Sequence, residues 1–391
     1  MKRKKNILID FLWGIASALL FSRLIVDISF ALGFPFMLPE IFWIPVLWIY
    51  RKHLKYHLNY SCVYVFAASL FFLFVISVLL GEFTFVAILQ TLRGYLYLLL
   101  SFSYFYNQKI FNIDRALCVI SGALFGWILS ALANFKLVLT TPANASSDAV
   151  SSYTGNIPAL ILALAIPFIW NKGRYFGLFI ALVGIIIFLS GMRRLIVVAV
   201  LAITLLLIVD LCTGRLKRKY LVMLGVTSLL IVVSYSFVAD YLAVNAPLYH
   251  RRLIEKSEVG YNGDSNSSDA FRYETILNFG DMVRDDLYPK GFVSKRSIDG
   301  LIYIDFPIYE MSHMLGIPIF IVLMICFFHR IYWHFRNYKN YGIKESALCV
   351  VSSVSMVVLL FIEGSFLNYP FATPFTGGLL ARIFSNKNLI K

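Results

Sequence analysis

Charged side chains are scarce in this chain. Asp, Glu, Lys and Arg together make up 14% of its 391 residues, whereas hydrophobic residues make up 60% and aromatic residues 16%. A soluble domain of this length could not bury so much apolar surface in one core. The composition therefore excludes an ordinary soluble protein and predicts a polytopic membrane protein.

Cysteine is rare as well. The five copies, Cys62, Cys118, Cys212, Cys326 and Cys349, all fall in predicted helices, not in outer loops where disulfides would form. The sequence has no Cys/His pattern with metal-ligand spacing, no Gly-rich nucleotide loop and no nucleophile elbow. We therefore expect no metal and no cofactor, because ATP-driven transport and nucleotide-sugar chemistry both lose their usual signature.

The chain is rich in long apolar runs. Each is roughly 17–25 residues, or slightly less, which suits a helix that crosses a bilayer. They lie at about 7–26, 35–50, 58–80, 83–106, 116–134, 156–170, 175–192, 195–212, 220–238, 307–329, 345–362 and 368–384. We predict an all-α fold with about twelve transmembrane helices.

The placement of basic residues predicts the orientation. With the N-terminus inside, the cytoplasmic segments carry 22 of the 35 Lys and Arg residues, and Asp114 is the only acid among them. Cytoplasmic loops of membrane proteins are enriched in this way. We expect both termini in the cytoplasm, and the net charge of +14 requires no nucleic acid as a partner.

This topology divides the chain into three parts. Residues 1–238 form transmembrane helices one to nine, residues 239–306 form one large periplasmic loop, and residues 307–391 form helices ten to twelve. Between residues 239 and 310 there are eight basic and twelve acidic residues. A net negative loop is not a general anion trap, so an arginine that binds phosphate here must act through its placement.

Several arginines fall at the outer face. Arg193 and Arg194 interrupt an apolar stretch where the positive-inside rule does not favour them, and Arg272 begins a partly amphipathic segment of the loop. Arg251 and Arg252 are a second outer pair. An arginine near hydrocarbon favours an anionic partner such as a phosphate. The alternatives are that the two pairs cap turns or reach lipid headgroups, and that Arg272 is a solvated charge on the face of its helix.

Acidic and imidazole groups occur where the loop returns to the membrane. Asp305 precedes Pro307, and Glu310 and His313 follow at a spacing that places them on one face of a helix. They are candidates for proton transfer. The simpler interpretation is that Pro307 starts the helix and Asp305 caps it.

Three short motifs resemble one known family. Ser190–Arg193 resembles an S-G-x-R helix junction, Ser268–Arg272 resembles the start of a large periplasmic loop, and Tyr288–Phe292, which includes Lys290, resembles a P-x-G-x-G turn. These are marks of the superfamily of O-antigen polymerases and O-antigen ligases. The resemblance covers residues 175–330 by motif and the whole chain by helix number and loop position. It implies a membrane glycosyltransferase fold of type C (GT-C).

A departure from the ligase pattern favours a polymerase. The ligase histidine would stand eleven residues before Gly316, where this chain has Asp305. The resemblance therefore implies an O-antigen polymerase that joins oligosaccharide repeat units linked to undecaprenyl pyrophosphate. The alternatives are an O-antigen ligase that transfers polymer to lipid A-core, and a flippase or transporter of lipid-linked oligosaccharides.

The resemblance also suggests roles for the candidate residues. Arg193 and Arg272 would stabilise the pyrophosphate leaving group without a metal, and Asp305 would orient or deprotonate the acceptor hydroxyl. Substrate contacts are expected from a further group: Arg194, Arg251, Arg252, Lys290, Glu310 and His313. The enzyme would lie in the bacterial inner membrane with a periplasmic active site, and a chain-length regulator and a flippase would be its membrane partners.

Overall fold

The computed structural model contains only helices as regular structure in the part of the chain that it describes. The described residues are 2–19, 61–81, 84–107, 117–129, 163–167, 176–189, 193–216, 218–255, 284, 287–292, 307–362, 367 and 373–385. The sequence-based prediction of an all-α protein is confirmed for these residues.

The main helices are numbered here in chain order. They are α1 (Lys2–Leu19), α2 (Ser61–Leu80), α3 (Phe85–Asn107), α4 (Leu117–Leu129), α5 (Phe176–Leu189), α6 (Arg193–Cys212), α7 (Arg218–Asn245), α8 (Pro307–Leu315), α9 (Ile317–Tyr341), α10 (Lys344–Ile362) and α11 (Thr373–Phe384). A short helical turn, Pro247–His250, and a π-helix, Arg251–Glu255, follow α7.

Five of the described helices are long and apolar enough to cross a membrane: α2, α3, α6, α9 and α10. Many large apolar side chains on them face outward, such as Phe71, Leu79 and Ile325. In water such a surface would be strongly unfavourable, whereas lipid solvates it. The chain is therefore an α-helical membrane protein.

Where the structure describes them, most predicted apolar runs coincide with helices, but some boundaries differ. The run 220–238 belongs to a helix that continues to Asn245, and the run 307–329 is divided between α8 and α9. Gly316 separates these two helices in the left-handed conformation, with φ of 72°. The run 35–50 lies outside the described residues.

The chain forms two compact units, each assembled from separated segments. The first contains Met1–Trp48, Asn112–Glu258 and His334–Ser355, and the second contains Ile49–Phe111, Val259–Trp333 and Met356–Lys391. Contacts between residues that are distant in sequence therefore build each unit.

In the first unit, α1 and α4 cross at glycines. A Cβ atom on Gly14 would collide with the carbonyl oxygen of Val119, and one on Gly122 would collide with that of Phe11. The two backbones thus touch directly, as they do at membrane helix crossings built from small residues. Gly126, four residues after Gly122, packs on Ala18 and extends the crossing by one turn.

The first unit also contains a tyrosine–carboxylate contact. The Tyr338 hydroxyl donates a hydrogen bond to Asp210 Oδ1, and the Arg215 guanidinium carbon lies 5.3 Å from the centroid of the Tyr338 ring. Tyr338 is buried and Arg215 is exposed. Arg215 and Tyr338 fall in segments that the charge pattern predicts to be cytoplasmic.

In the second unit, α3 and α11 pack closely. A Cβ atom on Gly377 would lie 2.9 Å from the backbone nitrogen of Phe102 and 3.1 Å from the carbonyl oxygen of Leu98. The ring of Phe102 also meets that of Phe66 on α2 edge-on, with centroids 5.8 Å apart. Helix α3 is thereby fixed from two sides, and it contributes to the site described next.

Candidate functional site

The site is built around the segment Tyr288–Phe292, which we call the 288–292 turn. It lies against the end of α8. The backbone N–H of Lys290 donates to the carbonyl oxygen of His313 at 3.1 Å, and that of Gly291 donates to Met314 at 3.4 Å. The last carbonyls of a helix have no partner inside it, so the turn satisfies two of them.

Two glycines allow this close approach. Gly291 has φ of 84°, and a Cβ atom there would collide with Ser77 on α2, including its backbone nitrogen at 2.8 Å. Gly316 has φ of 72°, and a Cβ atom there would lie 2.8 Å from the backbone nitrogen of Pro289. Only glycine combines positive φ with no side-chain volume. The turn is therefore seated between α2 and the break that separates α8 from α9.

Ser77 anchors the turn to α2. The backbone N–H of Phe292 donates to Ser77 Oγ at 2.6 Å, while the Ser77 hydroxyl donates to the carbonyl oxygen of Leu73 at 2.7 Å. Phe292 is almost fully buried, and its ring centroid lies 5.8 Å from that of Tyr95 on α3. The turn thus contacts α2, α3 and α8 at once.

A buried carboxylate lies beside this turn. Glu310 is 7% exposed, and its Oε1 accepts a hydrogen bond of 3.0 Å from the hydroxyl of Tyr95, which is also buried. Glu310 falls in the first turn of α8, where the positive end of the helix dipole favours a negative charge. The Tyr95 hydroxyl therefore holds this carboxylate in one position.

His313 and Lys290 complete this group. His313 is buried on α8, one turn after Glu310, and Lys290 is half-buried in the 288–292 turn. The carbonyl of His313 receives the Lys290 N–H, so the turn and the helix place these two residues next to each other. The structure therefore brings together three residues named from the sequence: Lys290, Glu310 and His313.

The remaining candidates are described only in part or not at all. Arg193 and Arg194 are the first two residues of α6, and their side chains lie outside the described part of the chain. Arg251 and Arg252 begin the π-helix, and the Arg251 side chain is exposed. Arg272 and Asp305 lie outside the described residues.

Metal ligands do not cluster within the described ranges. No group of three or more His, Cys, Asp and Glu side chains there could hold a metal ion. The described cysteines lie within helices, and none of them forms a disulfide.

Tyr95 and Ser77 are two residues of this site that the sequence analysis did not identify. Each meets its partner across 215 residues of chain, Tyr95 with Glu310 and Ser77 with Phe292. Neither residue stands out locally, because serine hydroxyls on helices usually bond to the preceding turn and tyrosines are frequent throughout this chain. The only available signal was that a tyrosine buried in a membrane helix needs a partner for its hydroxyl.

Neither a protein-family model nor a curated protein matches this chain.

Proposed function

We propose that this protein is an O-antigen polymerase, a metal-independent membrane glycosyltransferase of about twelve helices and GT-C type. The observation that carries the proposal is the 288–292 turn, which packs against α8, the helix after the predicted large loop, and lies beside a buried carboxylate. A motif predicted to belong to a reaction site thus lies next to a group able to accept a proton.

The reaction requires only lipid-linked sugars. The donor is the growing polysaccharide on undecaprenyl pyrophosphate, and the acceptor is a hydroxyl of the next lipid-linked repeat unit. A bond forms between the acceptor oxygen and the anomeric carbon, and the bond from that carbon to the pyrophosphate breaks. The pyrophosphate leaves with its electron pair, and the acceptor proton passes to a base on the protein.

Two kinds of residue serve this chemistry. Arg193 and Arg272 bind pyrophosphate oxygens, because guanidinium groups are permanently charged and form paired hydrogen bonds with such anions. Asp305, Glu310 and His313 are the candidates for the acceptor side. Lipid-linked substrates also meet a second set of basic residues, which comprises Arg194, Arg251, Arg252 and Lys290.

Disruption of the gene in its host tests the proposal. The surface polysaccharide, resolved on a gel, should show single repeat units in place of a long ladder. Polymer that stays unattached to lipid A-core would instead indicate a ligase. Accumulation of lipid-linked units in the cytoplasmic leaflet would indicate a flippase.

Complementation with variants then tests the arginines. Arg193→Ala and Arg272→Ala should each reduce polymer formation by roughly 100-fold or more, the usual effect of removing one group that stabilises developing charge. Lysine at either position should restore only part of the activity. Arg336→Ala is the control, since Arg336 is exposed on a predicted cytoplasmic segment of α9. Full-length polymer from both alanine variants would refute the pyrophosphate role.

A further inference from the structure

We propose that Glu310 is the carboxylate that contacts the acceptor hydroxyl, and that Tyr95 is a positioning residue that holds it. This inference rests on the proposed function and identifies the acceptor side of the same site. It differs from the sequence-based choice of Asp305. The juxtaposition that supports it joins α3, α8 and the 288–292 turn within one compact unit.

The position of Glu310 fits this role. It stands in the first turn of α8, the helix that follows the large loop, where lipid-linked sugars at the outer face would arrive. The carboxylate is buried next to the membrane-spanning helix α9, and a buried ionisable group in such a place is a candidate for function. The α8 N-terminus favours its charged form, which is the form that accepts a proton.

The surroundings of Glu310 fix it from two directions. Its side chain is held by the Tyr95 hydroxyl at 3.0 Å, and its helix is held by the two backbone hydrogen bonds from the 288–292 turn. The 288–292 turn is itself anchored on Ser77, and the Phe292 ring packs on the Tyr95 ring. A base that is held in place before the substrate arrives needs no reorganisation during the reaction.

The proton transfer is balanced without a further reactant. As the acceptor oxygen bonds to the anomeric carbon, its proton moves to the Glu310 carboxylate. The electron pair of the broken bond leaves with undecaprenyl pyrophosphate. Tyr95 keeps its proton throughout and donates only a hydrogen bond, so it positions the carboxylate and does not react.

Two substitutions separate these roles. Glu310→Gln keeps an oxygen that accepts the Tyr95 hydrogen bond but cannot take a proton, so the maximal rate should fall by roughly 100-fold or more. Tyr95→Phe removes only the hydroxyl and should lower the maximal rate by roughly 10- to 100-fold, with little change in KM. Glu310→Asp keeps the charge and should retain more activity than Glu310→Gln.

The assay uses purified full-length protein and the lipid-linked repeat units extracted from the host strain that lacks this gene. Rates are expressed per amount of folded, monodisperse protein, so that loss of folding does not imitate loss of catalysis. Tyr338→Phe is the matched control, because it removes a partly buried tyrosine–carboxylate hydrogen bond in the other compact unit. It should retain the wild-type maximal rate.

The outcomes distinguish this inference from the proposed function. If the wild-type protein forms no polymer from these units, the proposed function fails. If the wild type forms polymer and Glu310→Gln does so at the same rate, the role of Glu310 is refuted while the proposed function stands. If Tyr95→Phe retains the wild-type rate, the positioning role of Tyr95 is refuted. The same holds if Tyr338→Phe loses as much activity as Tyr95→Phe.

Discussion

Single residues explain why the 288–292 turn has its particular sequence. Gly291 adopts positive φ and lies against Ser77, so two separate constraints require glycine at this position. The motif was recognised from the sequence, but the second constraint comes from α2, more than 200 residues earlier in the chain. A local motif shows which turn forms, whereas the residue on which the turn packs is a property of the tertiary structure.

A pair of glycine substitutions tests this explanation. Gly81 also has positive φ, 65°, but a Cβ atom there would meet nothing within 4 Å. Gly81→Ala should therefore cost about 1 kcal/mol from backbone strain alone. Gly291→Ala adds the collision with Ser77 and should lower the free energy of unfolding by a further ~1–3 kcal/mol.

Thermal unfolding of the two purified variants in detergent measures the difference. Polymer formation should also fall in Gly291→Ala, because the turn supports the helix that carries Glu310. Equal destabilisation by the two substitutions would show that the turn does not pack on α2 as described.

The acidic and imidazole groups of α8 show how far the sequence could predict the site. The spacing of Glu310 and His313 on one helix face was visible in the sequence, and both are buried. The described partner of Glu310 is Tyr95, which no local pattern indicates. Helical periodicity determines which residues share a face, but it does not determine which other helix that face meets.

At the scale of helices, hydropathy predicted which segments are helical better than it predicted where each helix begins and ends. Predicted runs and described helices agree closely for α2, α3, α6 and α10. Helix α9 continues through a polar segment to Tyr341, beyond the predicted end at residue 329. Hydropathy marks only the edge of the hydrocarbon, and a helix can extend past that edge into the headgroup region and water. The break at Gly316 was missed, since one glycine in an apolar run gives no change in hydropathy.

The α1–α4 crossing gives a prediction at the same scale. Gly122→Leu should destabilise the protein by at least about 2–3 kcal/mol, because the new side chain meets the backbone of α1 and cannot be accommodated by a change of rotamer. Gly184→Leu is the control, since a Cβ atom at Gly184 on α5 meets nothing within 4 Å. Thermal stability and yield of folded protein in detergent measure the effect, and equal behaviour of the two variants would contradict the crossing.

For the whole molecule, the charge distribution predicts the orientation in the membrane, whereas contacts between distant segments determine how the compact units assemble. The distribution of Lys and Arg predicts which segments face the cytoplasm. The two compact units depend instead on contacts between segments far apart in the chain, such as Asn112–Glu258 and His334–Ser355 in the first unit. Such packing partners follow from tertiary structure, so a single sequence predicts orientation more readily than assembly.

The orientation is tested by labelling cysteines from outside the membrane. The five native cysteines are replaced by alanine, and one new cysteine is introduced at Ser265 in the predicted large loop or at Asn340, which is exposed at the end of α9. A thiol reagent that cannot cross the membrane should label Ser265→Cys in intact spheroplasts.

The same reagent should label Asn340→Cys only after the membrane is opened, because the segment around it carries four basic residues and no acidic ones between residues 329 and 344. Each variant thus serves as the control for the other, and both must still form polymer. The reverse labelling pattern would place residues 239–306 in the cytoplasm. A periplasmic reaction on flipped lipid-linked units would then be impossible at this loop, and the proposed polymerase would fail together with the topology.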